Sequence, residues 1–168
     1  MKPRAAAFAL AIVHLSVSGM AAQAEEGRRL DTPSGYPVPR FVSLKDAETN
    51  CRIGPSLQHP VRYVFKRAGA PVLVDAESVD HWRKLRDSEG DVCWAHKTTL
   101  KAQTHVLATA DTALFARPSP DAGVAGRLGP GVLARILRRR DDGWILVKAG
   151  AARGWVPAAA VWGGDLRT

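Results

Sequence analysis

One order of motifs occurs twice along this chain of 168 residues. Each copy runs from a Pro-Ser turn, through a hydrophobic run, to a strand that begins with Trp and a shorter strand that contains a second Trp. The matching residues are 63, 62 and 61 positions apart: Pro55 and Pro118, Trp82 and Trp144, Trp94 and Trp155. A nearly constant period of this length predicts two small domains of one architecture, placed one after the other.

Short segments rich in β-branched and aromatic residues fill both copies, with Gly and Pro between them. The strands expected in the first copy are residues 41–44, 49–53, 61–65, 71–74, 82–86 and 92–96. Those expected in the second are residues 104–108, 113–116, 124–128, 132–137, 144–148 and 153–156. Such closely spaced strands are typical of a small barrel or sandwich. Residues 97–103 are the expected joint, with room for a single tight helical turn.

The Trp-headed strand differs between the copies on one of its faces. Alternation places Leu85 and Val147 on equivalent inward faces, which predicts that both belong to a core. On the other face, Lys84 of the first copy is replaced by Leu146 in the second. An apolar residue there predicts that the first repeat covers this part of the second repeat and that the two pack as one unit.

The first 24 residues have the pattern of an export signal. A short basic start with Lys2 and Arg4 precedes the apolar run 5–17, and Ala22-Gln23-Ala24 is a small-residue cleavage site. The apolar run is too short to span a bilayer, so no stable membrane anchor is expected. We therefore expect a cleaved signal peptide (1–24), a flexible leader (25–39), two domains (40–102 and 103–164), a tail (165–168) and a soluble periplasmic protein.

The chain is basic, with 24 Lys and Arg against 16 Asp and Glu, or +8. Loss of Lys2 and Arg4 with the signal peptide leaves 22 against 16, or +6. Such a charge favours anionic partners, although it equally serves solubility alone. The run Arg138-Arg139-Arg140 precedes Asp141-Asp142-Gly143, which favours a solvated hairpin tip over a phosphate site.

Two cysteines, Cys51 and Cys93, lie on expected strands of the first copy. In an exported chain this arrangement predicts a disulfide, which would staple a domain too small to rely on its core alone. The competing interpretation is a thiol nucleophile, with His96 three residues after Cys93. No second base or orienting carboxylate is evident in the sequence, and the His and Cys spacings fit no metal site.

The segment Asn50-Cys51-Arg52-Ile53-Gly54-Pro55-Ser56, followed by Trp82 and Trp94, resembles the bacterial SH3-like (SH3b) pattern Asn-Val-Arg-x-Gly-Pro-Ser. The second half is similar through Gly143-Trp144 and Arg153-Gly154-Trp155-Val156, although Ala116-Arg117-Pro118-Ser119 lacks the Asn and Gly of the motif. Cys51 replaces the usual Val, and Cys93 replaces the usual Gly before Trp94. Because the SH3 fold brings these strands together, the resemblance supports the disulfide.

The resemblance implies two tandem SH3-like β-barrels with no active site and no cofactor. Relatives serve as targeting or substrate-holding modules, often attached to cell-wall hydrolases. We therefore expect a non-catalytic periplasmic binding module for peptidoglycan peptides or an extended segment of an envelope protein. The alternative is an accessory or regulatory subunit of a cell-wall hydrolase. Nucleic acid is not an expected partner, because no phosphate-cradling Gly-rich loop precedes a helix.

An aromatic groove flanked by basic residues is the expected binding site. Its candidate residues are Arg52, Tyr63, Trp82, Arg83 and Trp94. Each Trp is also typical of a partly buried barrel position, and that alternative stays open at this point. Trp144 and Trp155 are expected in the structural core of the second repeat. No residue is expected to be catalytic or to bind a metal.

Overall fold

A computed structural model describes residues 29–165 and shows two β-sheets, one for each repeat. The expected signal peptide and the last three residues of the tail lie outside the described residues. The strands of the first domain are β1 (Arg40–Leu44), β2 (Thr49–Arg52), β3 (Val61–Phe65), β4 (Pro71–Glu77), β5 (Trp82–Arg86), β6 (Val92–His96) and β7 (Leu100–Ala102). Their order in the sheet is β3-β2-β6-β5-β4-β1-β7.

The second domain repeats the arrangement with one strand fewer. Its strands are β8 (His105–Leu107), β9 (Thr112–Phe115), β10 (Val124–Leu128), β11 (Leu133–Arg139), β12 (Trp144–Ala149) and β13 (Ala152–Pro157), in the order β10-β9-β13-β12-β11-β8. Short 3-10 turns follow β6 at Lys97–Thr99 and β13 at Ala158–Ala160. The two expected all-β domains are thereby confirmed. No helix in the described part of the chain is long and apolar enough to cross a membrane.

Each domain closes around its own core of alternating strand residues. Leu85 and Val147 are fully buried at the centres of the two cores, as their face of the strand predicts. The first core also contains Leu44, Val72, Val74 and Ala95; the second contains Val106, Leu114, Leu128, Ile145 and Val156. The cores are separate, so each repeat buries the apolar faces of its strands within its own domain.

The disulfide between Cys51 and Cys93 forms inside the first core. The two Cα atoms lie 5.4 Å apart, and both residues are almost completely buried. The bond joins β2 to β6, which are neighbours in the sheet, and closes a loop of 42 residues. Because both thiols are consumed, Cys93 is not the thiol nucleophile that the competing interpretation required.

The structure differs from the expected flexible leader over residues 29–39. Arg29 and Val38 exchange two backbone hydrogen bonds of 2.7 and 2.9 Å. The Val38 side chain is buried in the first core, and both the backbone N–H and the hydroxyl of Ser34 bond the Glu77 carboxylate. Turn-forming Pro and Gly residues in this stretch shape a strap that packs on the first domain. The composition indicated turns, but the contacts that fix them lie far along the chain.

The two domains meet through the joint, through the segment after β13 and through a hydrogen bond from Arg67 Nη1 to the Gly131 carbonyl at 2.6 Å, rather than through Leu146. The indole of Trp162 meets the Phe41 ring edge-on at 5.0 Å and donates from Nε1 to the Pro71 carbonyl at 3.0 Å. The Thr104 N–H donates to Ser43 Oγ at 3.1 Å. Leu146 is half-buried between its neighbours Arg138 and Trp155 of its own domain. The expected contact between repeats exists, but the residue expected to make it was wrong.

Candidate functional site

A groove of about 560 Å³ lies on the first domain. It lies between the loop after β2 (residues 53–60), the start of β5 and the 3-10 turn after β6. Its lining includes Arg52, Ser56, Leu57, Asp80, Trp82 and His96. Three segments that are distant in sequence thus form one surface beside the Gly-Pro-Ser turn.

The loop that forms one wall of the groove is held by hydrogen bonds to and from His59. Arg52 Nη1 donates to the His59 carbonyl at 2.7 Å, and the hydroxyl of Ser56 lies 2.8 Å from His59 Nδ1. The imidazole of His59 packs against Gly54, where any Cβ would collide with the ring. Any larger residue at position 54 would therefore displace the His59 ring. This arrangement leaves Leu57 about 70% exposed at the rim.

Trp82 forms the floor of the groove. Its side chain is largely buried, and its ring meets the His96 ring edge-on with centroids 5.5 Å apart. The two residues are direct cross-strand neighbours on β5 and β6. The backbone at Trp82 is fixed by a hydrogen bond from its N–H to Ser78 Oγ at 3.2 Å. Trp82 therefore combines both interpretations left open by the sequence: it supports the barrel, and it lines the groove.

Arg83 does not reach the groove, which corrects the expectation for this residue. It is buried and lies 3.0 Å from Glu77, which also pairs with Arg40. Arg83 shares the inward face of β5 with Leu85, and Glu77 is its direct partner on β4. The alternation of side chains along β5 is enough to place Arg83 on the inward face. Glu77, at the end of β4, was the sequence signal for its partner.

The Glu77 carboxylate is fully buried among these two arginines and Ser34. Burial alone would raise the pKa of Glu77, but hydrogen bonds from Arg40 and Ser34, with the charges of Arg40 and Arg83, hold it below its ordinary value. Burial also lowers the pKa of Arg83, against the opposing effect of Glu77. These groups form a buried ion cluster that fixes the strap to the domain.

Tyr63 and Trp94 lie away from the groove. Tyr63 lines a separate cavity of about 350 Å³ that also takes in Pro71 and Leu107. Its buried hydroxyl has no hydrogen-bond partner among the described residues, and burial, with the charges of Asp87 and Asp91, raises its pKa to about 12. Half-buried Trp94 is the cross-strand neighbour of Arg52 and Lys84. The groove therefore brings together only Arg52 and Trp82 of the five candidates.

Two segments, residues 45–101 and 109–163, each match the family model described as the bacterial SH3 domain. The chain belongs to the bacterial SH3 domain family. Each matched segment lies within one repeat and covers most of its sheet, leaving out the first strand, β1 or β8. Each repeat is therefore one SH3 domain, and domains of this family are typically binding modules. No curated protein matches the chain.

Solved structures similar to this tandem pair of SH3 domains include two proteins of Trichomonas vaginalis. The structure titled NlpC2 is 15% identical, with a TM-score of 0.34, over 75% of this chain and 48% of its own. The structure titled NlpC1 is 15% identical, with a TM-score of 0.33, over 79% of this chain and 47% of its own. The chain thus spans about half the length of these two proteins.

Several lining residues of the groove in the first SH3 domain were missed in the sequence. Leu57 follows the Gly-Pro-Ser turn directly, and an apolar residue at a turn tip was the available signal. Thr49 also lines the groove, and its buried hydroxyl has no hydrogen-bond partner among residues 29–165. No local pattern marks Thr49 or Asp80, because their placement depends on how the loops fold together.

The second SH3 domain has different residues at the place that corresponds to the groove. Phe115 faces Trp155 there, as Arg52 faces Trp94, and Pro157 faces Trp144, as His96 faces Trp82. The Phe115 and Trp144 rings pack edge-on at 5.6 Å. Trp144 and Trp155 are half-buried and lie outside the core of the domain, which corrects their expected role. Both rings belong to the outer face of the sheet.

Proposed function

We propose that this protein is a non-catalytic binding module of the bacterial periplasm, and that the groove of its first SH3 domain holds an extended peptide. The ligand is a peptidoglycan stem peptide or an extended segment of an envelope protein. The observation that carries the proposal is the groove itself, in which exposed Leu57 and largely buried Trp82 lie beside charged and hydroxyl-bearing side chains. Sites that combine a few apolar contacts with fixed polar groups suit small and extended ligands.

The charges in the lining indicate which peptides fit. Arg52 provides a guanidinium group, while Glu48 and Asp80 provide carboxylates, and Glu48 also pairs with Lys66 at the rim. A peptide that carries both carboxylate and amino groups matches this mixture better than a purely anionic polymer. Arg52 keeps part of its hydrogen-bonding capacity free, because Nη1 is the atom bound to the His59 carbonyl.

The same proposal includes that the protein has no catalytic activity. Both cysteines of the sequence are joined in the disulfide, so neither supplies a thiol nucleophile. We expect incubation with purified peptidoglycan to release no soluble fragments. Release of fragments at a rate that follows protein concentration would contradict this part of the proposal.

The binding site is tested by sedimentation with purified peptidoglycan and by calorimetric titration with a soluble stem peptide. Leu57→Ser is expected to weaken binding about tenfold, because one exposed leucine loses its burial on the ligand. Val124→Ser, which changes an exposed valine of the second domain, is the matched control and should bind as the parent does. Equal affinity of the parent and Leu57→Ser would exclude this groove. Failure to bind the stem peptide, together with groove-dependent capture of one envelope protein, would assign the protein ligand.

A further inference from the structure

Three cations lie directly beside one another on the outer face of the second domain. Arg135 on β11 is the cross-strand neighbour of Lys148 on β12, which is the neighbour of Arg153 on β13. All three side chains are exposed. Neighbouring strands are about 4.8 Å apart, so this cation row crosses the sheet over a length of about 10 Å.

Nothing in the described part of the chain neutralises the cation row. Arg135, Lys148 and Arg153 form no ion pair or side-chain hydrogen bond within residues 29–165, and β8–β13 carry no Asp or Glu. Like charges placed directly opposite each other destabilise a sheet. A row of three cations therefore lowers the stability of the second domain, and no contact within the domain compensates for it. Residues that lower stability in this way are expected at surfaces used for binding.

The first domain provides an internal comparison for the row. Leu73, Arg86 and Val92 occupy the same places in its sheet, one strand apart from each other. Arg86 is the single cation among them, and Asp75 accepts hydrogen bonds from its Nε and Nη2 at 2.9 and 2.7 Å. The uncompensated row is thus a property of the second domain and not of the fold.

Cations of the first domain lie near the end of the row on β11. His105 on β8 is the next cross-strand neighbour of Arg135. Burial lowers the pKa of His105, and the charges of Lys101, Arg135 and Arg67 lower it further. Arg67 and Lys101 belong to the first domain, so a bound chain that follows the row meets cations on both domains.

We propose that the cation row is a docking surface for a linear polymer of phosphate groups, which crosses the second domain at right angles to its strands. A linear polymer places successive negative charges over successive cations, whereas a single anion meets them one at a time. Binding of this kind releases counterions and is strongly dependent on salt. The site is separate from the peptide groove of the first domain and does not rest on it.

Two other classes of anionic partner fit the surface less well. Acidic peptides gain much of their affinity from main-chain hydrogen bonds at a sheet edge, and the face that carries the cation row offers none. An anionic membrane would gain from apolar side chains that insert beside the cations, but Leu146 and Trp155, which lie next to the row, are half-buried in the sheet. Both classes become outcomes of the experiment.

The test compares two triple variants of equal net charge by titration with a linear polyphosphate. One replaces the row (Arg135→Gln, Lys148→Gln, Arg153→Gln); the other replaces three scattered exposed cations (Lys45→Gln, Lys97→Gln, Arg127→Gln). We expect the row variant to lose affinity about tenfold or more and to flatten the dependence on salt, while the control changes little. Thermal unfolding should show the row variant to be at least as stable as the parent, because like-charge neighbours are removed.

Four outcomes would overturn the proposal. Equal losses in both variants would mean that only net charge matters. Row-dependent binding of polyglutamate as tight as that of polyphosphate would assign an acidic peptide instead. Row-dependent binding to vesicles that contain phosphatidylglycerol, without binding of polyphosphate, would assign a membrane surface. Competition by orthophosphate at the same total phosphate concentration as the polymer would show that the linear arrangement is irrelevant.

Discussion

The two domains share a fold but use their surfaces and their stabilising contacts differently. The first is tied by the Cys51–Cys93 disulfide and by the buried cluster around Glu77, and it leaves a groove open above Trp82. The second has no cysteine, and Phe115 takes the place that corresponds to Arg52. The differences extend to inward positions, because buried Arg83 of the first domain corresponds to buried Ile145 of the second. The two repeats therefore share the barrel while both their buried contacts and their outer faces differ.

Loss of the disulfide should give the largest difference between the domains. Replacing Cys51 and Cys93 together by Ala is expected to lower the free energy of unfolding of the first domain by about 4 kcal/mol, from the entropy of a 42-residue loop. Hydrogen exchange of backbone amides, followed for each domain, measures the change. Amides of the second core, such as that of Val147, should keep most of their protection. An equal loss in both cores would show that the domains unfold as one unit.

The buried ion cluster should give the next largest effect. Glu77→Gln leaves Arg40 and Arg83 buried without a compensating charge, so we expect a loss of about 3 kcal/mol. Asp75→Asn is the control, because its partner Arg86 is about half exposed, and it should cost less than about 1 kcal/mol. Urea unfolding measures both variants. Similar losses for both would show that the cluster contributes no more than a surface pair.

The pH dependence of stability provides a second check on Glu77. Its pKa is lowered in the folded protein, so the stabilisation is complete above the ordinary pKa of a glutamate and is lost as the pH falls through the folded value. Glu77→Gln should remove this part of the acid sensitivity. An unchanged acid profile in the variant would mean that the pKa of Glu77 is not lowered in the folded protein.

The contact between the domains should give a smaller effect. Trp162→Ala removes the edge-on contact with Phe41 and the hydrogen bond to the Pro71 carbonyl, which together contribute about 2 kcal/mol. Calorimetry should then resolve two unfolding transitions. Leu137→Ala, which truncates an exposed leucine of the same domain, is the control and should leave the parent profile unchanged. A single unshifted transition in Trp162→Ala would show that the domains are coupled elsewhere.

The smallest expected effect comes from His105. Because its pKa is lowered in the fold, the unfolded chain takes up a proton before the folded protein does, and stability falls as the pH drops below the ordinary pKa of histidine. Arg135→Gln should raise the pKa of His105 toward its ordinary value, as measured by NMR titration. A lower pKa in that variant would contradict the cationic surroundings described here.

Much of the fold follows from local patterns. Alternation at Trp82–Arg86 and Val92–His96 predicted both strands with the bounds that the structure shows. By contrast, β7 (Leu100–Ala102) was assigned to the joint, because a three-residue strand has no pattern of its own and is defined by its pairing with β1. The strap was missed for the same reason, since its partners at Glu77 and in the first core lie far along the chain.

The candidate site followed the sequence less closely. Arg52 and Trp82 were placed correctly because each lies inside a motif with a defined position on a strand or turn. Arg83 was assigned to the groove from its charge, although its alternation with Leu85 pointed inward, and charge was the weaker signal once Glu77 lay opposite. The cation row has no linear signature at all, because it comes from the register of three strands.

The contacts of Trp162 also impose an order on assembly during synthesis. Its backbone exchanges two hydrogen bonds with Leu107 and so completes the second barrel, while its indole rests on the first domain. The first barrel has all its strands once Ala102 has been made, whereas the second cannot close until after every one of its strands has emerged. Trp162 therefore makes its contact with the first domain and its hydrogen bonds to the second barrel at the same late stage. Nascent chains arrested just before Trp162 are expected to contain a protease-resistant first domain followed by a cleavable second one.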